Sequence, residues 1–144
     1  MSQSADNLGS ALSAAENPIE ICFCQSDKSY QDCCGLYHEG AVAPNAAALM
    51  RSRYSAYVLG KAAYIHRSWS AQTRPTKQAL KKAEPLHWLG LEIVRTEAGE
   101  ALDDAGLVEF IATYRDGEQV ARLHEVSRFI RENGRWVYVA GEQR

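Results

Sequence analysis

Cys22-Phe23-Cys24-Gln25-Ser26-Asp27-Lys28-Ser29-Tyr30-Gln31-Asp32-Cys33-Cys34-Gly35 holds all 4 cysteines of the 144-residue chain. Thiols concentrated this way build a metal site or a redox site. A tetrahedral Zn²⁺ takes four soft donors, with thiolate sulfur about 2.3 Å from the metal. Here two arms, Cys22-x-Cys24 and Cys33-Cys34, stand eight residues apart. Residues at i and i+2 of a turn can face one ion. Adjacent residues can do so only across a sharp kink, which Gly35 is expected to relieve because glycine tolerates positive φ. Between the arms, Ser26-Asp27-Lys28-Ser29 is turn chemistry. Four thiolates on Zn²⁺ leave a charge of about −2, and loop N–H groups with Lys28 are the expected partners of that charge. His38 is the one competing ligand, in place of Cys34.

Other cysteine chemistry fits less well. Residues 1–15 have no basic region followed by an apolar core, so a reducing cytoplasm is expected rather than a disulfide-forming compartment. Pairing within either arm would also close small, strained rings. A redox dithiol needs Cys-x-x-Cys, which is not this spacing. A closed four-cysteine site has no open position for chemistry, so the metal reads as structural.

The loop, with Cys22, Cys24, Cys33, Cys34 and Tyr30 in register, resembles the SEC-C motif. That motif is the zinc-binding module at the C-terminus of the preprotein translocase motor, and usually reads CPCGSGKKYKKCCG. Phe23 stands where proline is usual, and Gln25 and Asp27 stand where glycine is usual.

Outward from the loop, residues 1–18 read as a disordered tail with a turn of helix near 11–16. Ile19 and Ile21 are expected to pack the zinc module, spanning 19–40, onto the rest of the chain. Residues 40–44 form a linker to a domain over 44–141. Asn45 can cap a helix over 46–59, stopped by Gly60, with Leu49, Met50, Tyr54, Tyr57 and Val58 on one face and Arg51 and Arg53 interrupting it. Helices follow over 62–69 and, after a Thr76 cap, over 77–83. Strands are expected over 88–97, 107–115, 120–131 and 135–140. Residues 97–100 form the first turn, and Asp116-Gly117 and Asn133-Gly134 mark the next two hairpins. Helices before an antiparallel sheet make an α+β fold, with the helices burying one face of the sheet.

The segments 49–57 (Leu-Met-Arg-Ser-Arg-Tyr-Ser-Ala-Tyr), Trp88-Leu89-Gly90-Leu91, Ser127-Arg128-Phe129 and Glu132-Asn133-Gly134 extend the resemblance to the YchJ family of small bacterial proteins. It implies a nuclear-transport-factor-2-like, or cystatin-like, cone behind the zinc module, and homodimers through the open sheet face. The family brings no biochemical role with it. Some members carry a second SEC-C copy at the C-terminus, and this sequence ends at Arg144.

Cone folds include lyases, isomerases and pure binding modules, and fold alone does not choose. A catalytic pocket needs a buried carboxylate, for which Glu109 and Glu125 are the candidates. Such residues on a half-exposed strand usually face water, with Arg128 opposite a glutamate as a cross-strand pair. Arg51, Arg53, Tyr54 and Tyr57 could form a contact patch, and Trp88, with Trp69 and Trp136, reads as a core anchor that could line a pocket. The net charge of −2 gives no basic field for nucleic acid. Glu16, Glu20, Asp27, Asp32 and Glu39 offset Lys28 around the loop, and no apolar run reaches membrane-spanning length. The leading expectation is a cytoplasmic, zinc-folded interaction protein with a protein partner and no catalytic residues. The alternative is a small-molecule binder or lyase/isomerase-type enzyme using the cone pocket.

Overall fold

A computed structural model describes residues 21–144. The tail, its turn near 11–16, Ile19, and the charges of Glu16 and Glu20 lie outside the described residues. A 3-10 turn, Tyr30–Asp32, leads into four helices: α1 (Cys34–His38), α2 (Ala46–Leu59), α3 (Ala62–Arg67) and α4 (Lys77–Lys82). Four strands follow: β1 (His87–Ala98), β2 (Ala105–Asp116), β3 (Gln119–Glu132) and β4 (Arg135–Gln143). No helix among the described residues is long and apolar enough to cross a membrane.

Helix α2 is the axis of the fold. Asn45 is extended, and its side chain accepts from the Ala48 N–H at 2.8 Å. At the other end Gly60 turns left-handed, at φ +72°, and its N–H returns to the Ala56 and Tyr57 carbonyls. The expected apolar stripe is only part of what α2 buries. Leu49, Met50 and Tyr54 are buried, but so are Ser52, Arg53, Ser55 and Ala56. The reason is that α2 is covered twice, by the sheet and by α1 and α3. Its buried hydroxyls are paired accordingly: Ser52 Oγ donates to the Leu49 carbonyl and meets Tyr64 OH, each at 2.7 Å.

Helix α3 stops two residues short of the expected 69. Ser68 closes it, with its N–H on the Tyr64 carbonyl at 3.0 Å. Trp69 is drawn instead into a parallel bridge with Tyr138 of β4. Thr76 caps α4 as expected, accepting from the Ala79 N–H at 3.1 Å.

The sheet is a four-stranded antiparallel meander in the order β1-β2-β3-β4. Gly117 (φ +65°) opens the β2–β3 turn. Asn133 and Gly134, at φ +53° and +80°, make the β3–β4 turn, the paired positive angles a tight right-twisted hairpin needs. Strand alternation sends Leu91, Val108, Phe110, Ala112, Phe129 and Trp136 to one face. They join Leu49, Met50 and Tyr54 of α2 in one buried cluster, and that cluster also contains Cys22, Cys24 and Cys34. The cysteine loop and the cone share a core.

Candidate metal centre

The loop is closed by its own backbone. The Cys22 N–H donates to the Lys28 carbonyl at 2.8 Å, and the Gln25 N–H to the Cys22 carbonyl at 2.9 Å. Ser29 caps the 3-10 turn by accepting from the Asp32 N–H at 3.2 Å. The kink that lets neighbouring cysteines converge is at Cys33 itself, with φ −129° and ψ −111°. Gly35 is helical, which corrects the expectation that it supplies a positive φ. A side chain there is excluded for another reason, since a Cβ would lie 2.7 Å from the Tyr30 carbonyl oxygen. Gln25 and Asp27 take φ of +66° and +75°. The loop thus keeps the left-handed backbone that favours glycine at both positions.

The sulfurs of Cys22, Cys24, Cys33 and Cys34 all lie within 4.8 Å of one another. Cys24 and Cys33 are 3.6 Å apart, and Cys33 and Cys34 are 4.0 Å apart. Tetrahedral ligands at a zinc–thiolate distance would be about 3.8 Å apart. The four are free thiols, with Cys22, Cys24 and Cys34 buried. Cys24 is pulled down to about 4, chiefly by the Cys34 thiol, while that same contact and burial push Cys34 up. Such a donor set could hold a metal ion, with all four positions filled by protein.

The surroundings differ in part from expectation. Ser26 Oγ approaches Cys33 Sγ at 3.1 Å, and Ser55 Oγ approaches Cys22 Sγ at 3.6 Å. Lys28 contributes its backbone carbonyl to the loop. The cation that reaches it is Arg51, whose Nη1 donates to the Cys24 carbonyl at 2.9 Å. His38 is turned away from the sulfurs. Its Nδ1 meets Tyr30 OH at 2.7 Å and its Nε2 meets the Ser52 carbonyl at 2.8 Å. Since a carbonyl only accepts, Nε2 carries the proton and Tyr30 OH donates to Nδ1. The site's second device is therefore a Tyr30–His38–Ser52 tie to α2.

The other candidate residues divide among three places. Arg53, Tyr54, Tyr57, Trp88 and Glu125 line a cavity of about 220 Å³ between α2 and the sheet. Arg51 is not there: two residues along a helix is about 200° of rotation, so Arg51 serves the loop and Arg53 the cone. Glu109 is not there either. Alternation puts it on the opposite sheet face, where Arg95 Nε holds one carboxylate oxygen at 2.8 Å and His124 Nε2 the other at 2.7 Å. Arg128 is paired in register with Leu107 and Ala140, not with a glutamate.

Glu125 faces inward, which corrects the expectation of a wet strand face. Its Oε2 accepts from Ser127 Oγ at 2.6 Å and Tyr138 OH at 3.0 Å. Tyr138, Trp69 and Ser127 complete the cavity's polar end; Trp69 takes the lining role open to it, while Tyr138 and Ser127 were not among the expected site residues. The available signal was the alternation Leu123, Glu125, Ser127, Phe129, which places a carboxylate on the apolar face.

Residues 45–141 match the family model described as YchJ, middle NTF2-like domain. A UPF0225 protein of Streptomyces coelicolor is 48% identical over 126 residues, 87% of this chain and 97% of that protein. One from Chromobacterium violaceum is 49% identical over 112 residues, 76% of this chain and 83% of its own. A SEC-C motif containing protein from Rhodopseudomonas palustris, solved in solution, superposes with a TM-score of 0.76 at 34% identity, over 85% of this chain and 98% of that one. A crystal structure of a SEC-C motif containing protein from Psychrobacter arcticus gives 0.73 at 30% identity, over 85% and 81%.

Proposed function

The chain belongs to the YchJ-like family, and on that premise we propose that it is a cytoplasmic interaction protein whose contact module is folded by zinc. The observation that carries the reading is the convergence of four thiols within 4.8 Å, which leaves no coordination position for a substrate. An all-thiolate tetrahedral set is zinc's structural mode. The metal would therefore act on shape, holding the loop as a rigid platform. Apolar side chains of the platform face outward: Ile21, expected to pack the module onto the rest of the chain, is instead 56% exposed, Phe23 36% and Leu36 46%. The similar module of the translocase motor contacts other proteins, so the analogy runs the same way. Pairing of two copies through the open sheet face belongs to the same proposal.

The test has two arms. Elemental analysis of protein purified without added metal should find one zinc per chain, lost in Cys33→Ser. Cross-linking in extracts of the source cell should then capture a partner with the wild type. Phe23→Ser combined with Leu36→Ser should keep the zinc and lose that partner. No metal in the wild type, or capture unchanged in both variants, would sink the proposal.

A further inference from the structure

The cone cavity joins an apolar body to two charged groups that the fold leaves incompletely paired. Arg53 is 3% exposed. Its Nη1 donates to the Ile65 carbonyl at 3.0 Å and Ser68 Oγ at 2.8 Å, both at the end of α3. Its Cζ lies over the rings of Trp69 and Tyr138, 4.9 and 4.7 Å from their centroids. No carboxylate among the described residues forms an ion pair with it, and Nε and Nη2 have no hydrogen-bond partner there. A buried guanidinium with no carboxylate in contact is costly, and burial holds its pKa below the ordinary arginine value, with nearby tyrosines and Glu125 opposing the shift from longer range. Across the same cavity Glu125 has Oε2 satisfied by two hydroxyls, while Oε1 has no partner among the described residues. Met50, Phe110 and Leu123 supply apolar wall, and Tyr57, 37% exposed, stands at the edge beside Trp88.

We propose that this cavity is a binding site for a small planar monocarboxylate that carries a hydrogen-bond donor at its far end. The carboxylate lies on Arg53, whose fork matches it. The body lies between the aromatic walls, and the donor faces Glu125. Three observations fix the class. A volume of about 220 Å³ limits the occupant to about one ring with its substituents. Glu125 repels a second negative charge. A cationic ligand is disfavoured because Arg53 already occupies the faces of Trp69 and Tyr138, where a cation would stack. The proposal stands independently of the metal reading, since no cysteine lines the cavity.

The test is titration of the full chain with 4-hydroxybenzoate, benzoate, 4-hydroxybenzyl alcohol and phenyltrimethylammonium, read by tryptophan fluorescence and amide NMR shifts. Saturable binding of 4-hydroxybenzoate is expected, tighter than benzoate and about tenfold or more tighter than the alcohol. Glu125→Gln should narrow the difference between the two carboxylates. Arg53→Lys should weaken both about tenfold or more. Because Arg53 also ties α2 to α3, Leu123→Phe provides the second arm. It fills the cavity from the wall, and should abolish binding while circular dichroism and metal content stay unchanged. No saturable binding of either carboxylate, binding unaffected by Leu123→Phe, or preference for the ammonium or the alcohol would overturn the proposal.

Discussion

The Gln25 side-chain carbonyl accepts a hydrogen bond from the Leu91 backbone N–H at 2.8 Å, fastening the cysteine loop to the first strand. Gln25 does this from a left-handed backbone, at φ +66°. The strand makes room for it: the register shifts between Trp88 and Gly90, and a Cβ on Gly90 would lie 2.8 Å from the same Gln25 oxygen. A position where SEC-C loops usually carry glycine here trades backbone ease for a side-chain anchor.

That exchange predicts an order of stabilities. Gln25→Gly relieves the left-handed strain, worth about 1 kcal/mol, but loses a hydrogen bond of similar value, so it should be close to neutral. Gln25→Ala keeps the strain and loses the bond, and should cost about 1–2 kcal/mol. Urea denaturation of both variants checks the order. An alanine variant as stable as the wild type would show that the bond contributes nothing, and one as stable as the glycine variant would show that the left-handed backbone carries no strain.

Metal removal should be felt beyond the loop. Cys22, Cys24 and Cys34 pack in the same cluster as Leu49, Tyr54 and Leu91, so loosening the loop opens the apolar core. Chelation, or Cys33→Ser, should lower the melting temperature of the whole chain in one transition, by an amount reflecting several kcal/mol. Near-ultraviolet dichroism of the Tyr54–Trp88 contact should change in the same step. A cone melting that ignores chelator would contradict the shared core.

On the outer sheet face, Glu109 is held below the usual carboxylate range by its hydrogen bond to His124 first and Arg95 second. A depressed carboxyl stabilises the fold above its unfolded pKa, near 4.5, and that contribution is lost as pH falls through the folded value. Glu109→Gln should therefore flatten the stability profile below about pH 4.5 and leave its shape at neutral pH unchanged. Denaturation midpoints between pH 3 and 7, wild type against variant, read this directly. Parallel profiles would mean the triad adds no pH dependence.

The parts of this architecture written in local chemistry were legible in the sequence. Asn45 and Gly60 bracket α2 at the residues observed, and Asn133-Gly134 turns where a paired positive φ is needed. The four cysteines whose sulfurs converge, a set that could hold a metal ion, are marked by their spacing alone. What escaped depends on contacts between distant segments. Gly35 is required by the approach of Tyr30, not by its own φ. Arg51 and Arg53 part company only because α2 is covered on two sides. Glu109 finds Arg95 and His124 only once strand register is known. Trp69 leaves the helical pattern because Tyr138 offers it a bridge.

Gly141 sets the position of the carboxylate above it. A Cβ on Gly141 would collide with Glu125 Oε2, so the glycine is what lets Glu125 lie across β4 within reach of Ser127 and Tyr138. Burial, and then the Glu125 charge, hold the Tyr138 phenol above its ordinary value of 10.0. A raised folded pKa favours the neutral phenol. It stabilises the fold below pH 10, and that stability is lost as pH rises through the folded value. Gly141→Ala should push Glu125 aside, and Glu125→Gln should remove its charge with little change of shape. Both should lower the Tyr138 titration without restoring the ordinary value, because burial is the larger cause. Ring carbon shifts of labelled tyrosine, assigned with Tyr138→Phe, follow this group alone. If neither variant moves its titration, the carboxylate does not act on Tyr138, and the polar end of the cavity is not organised by Gly141.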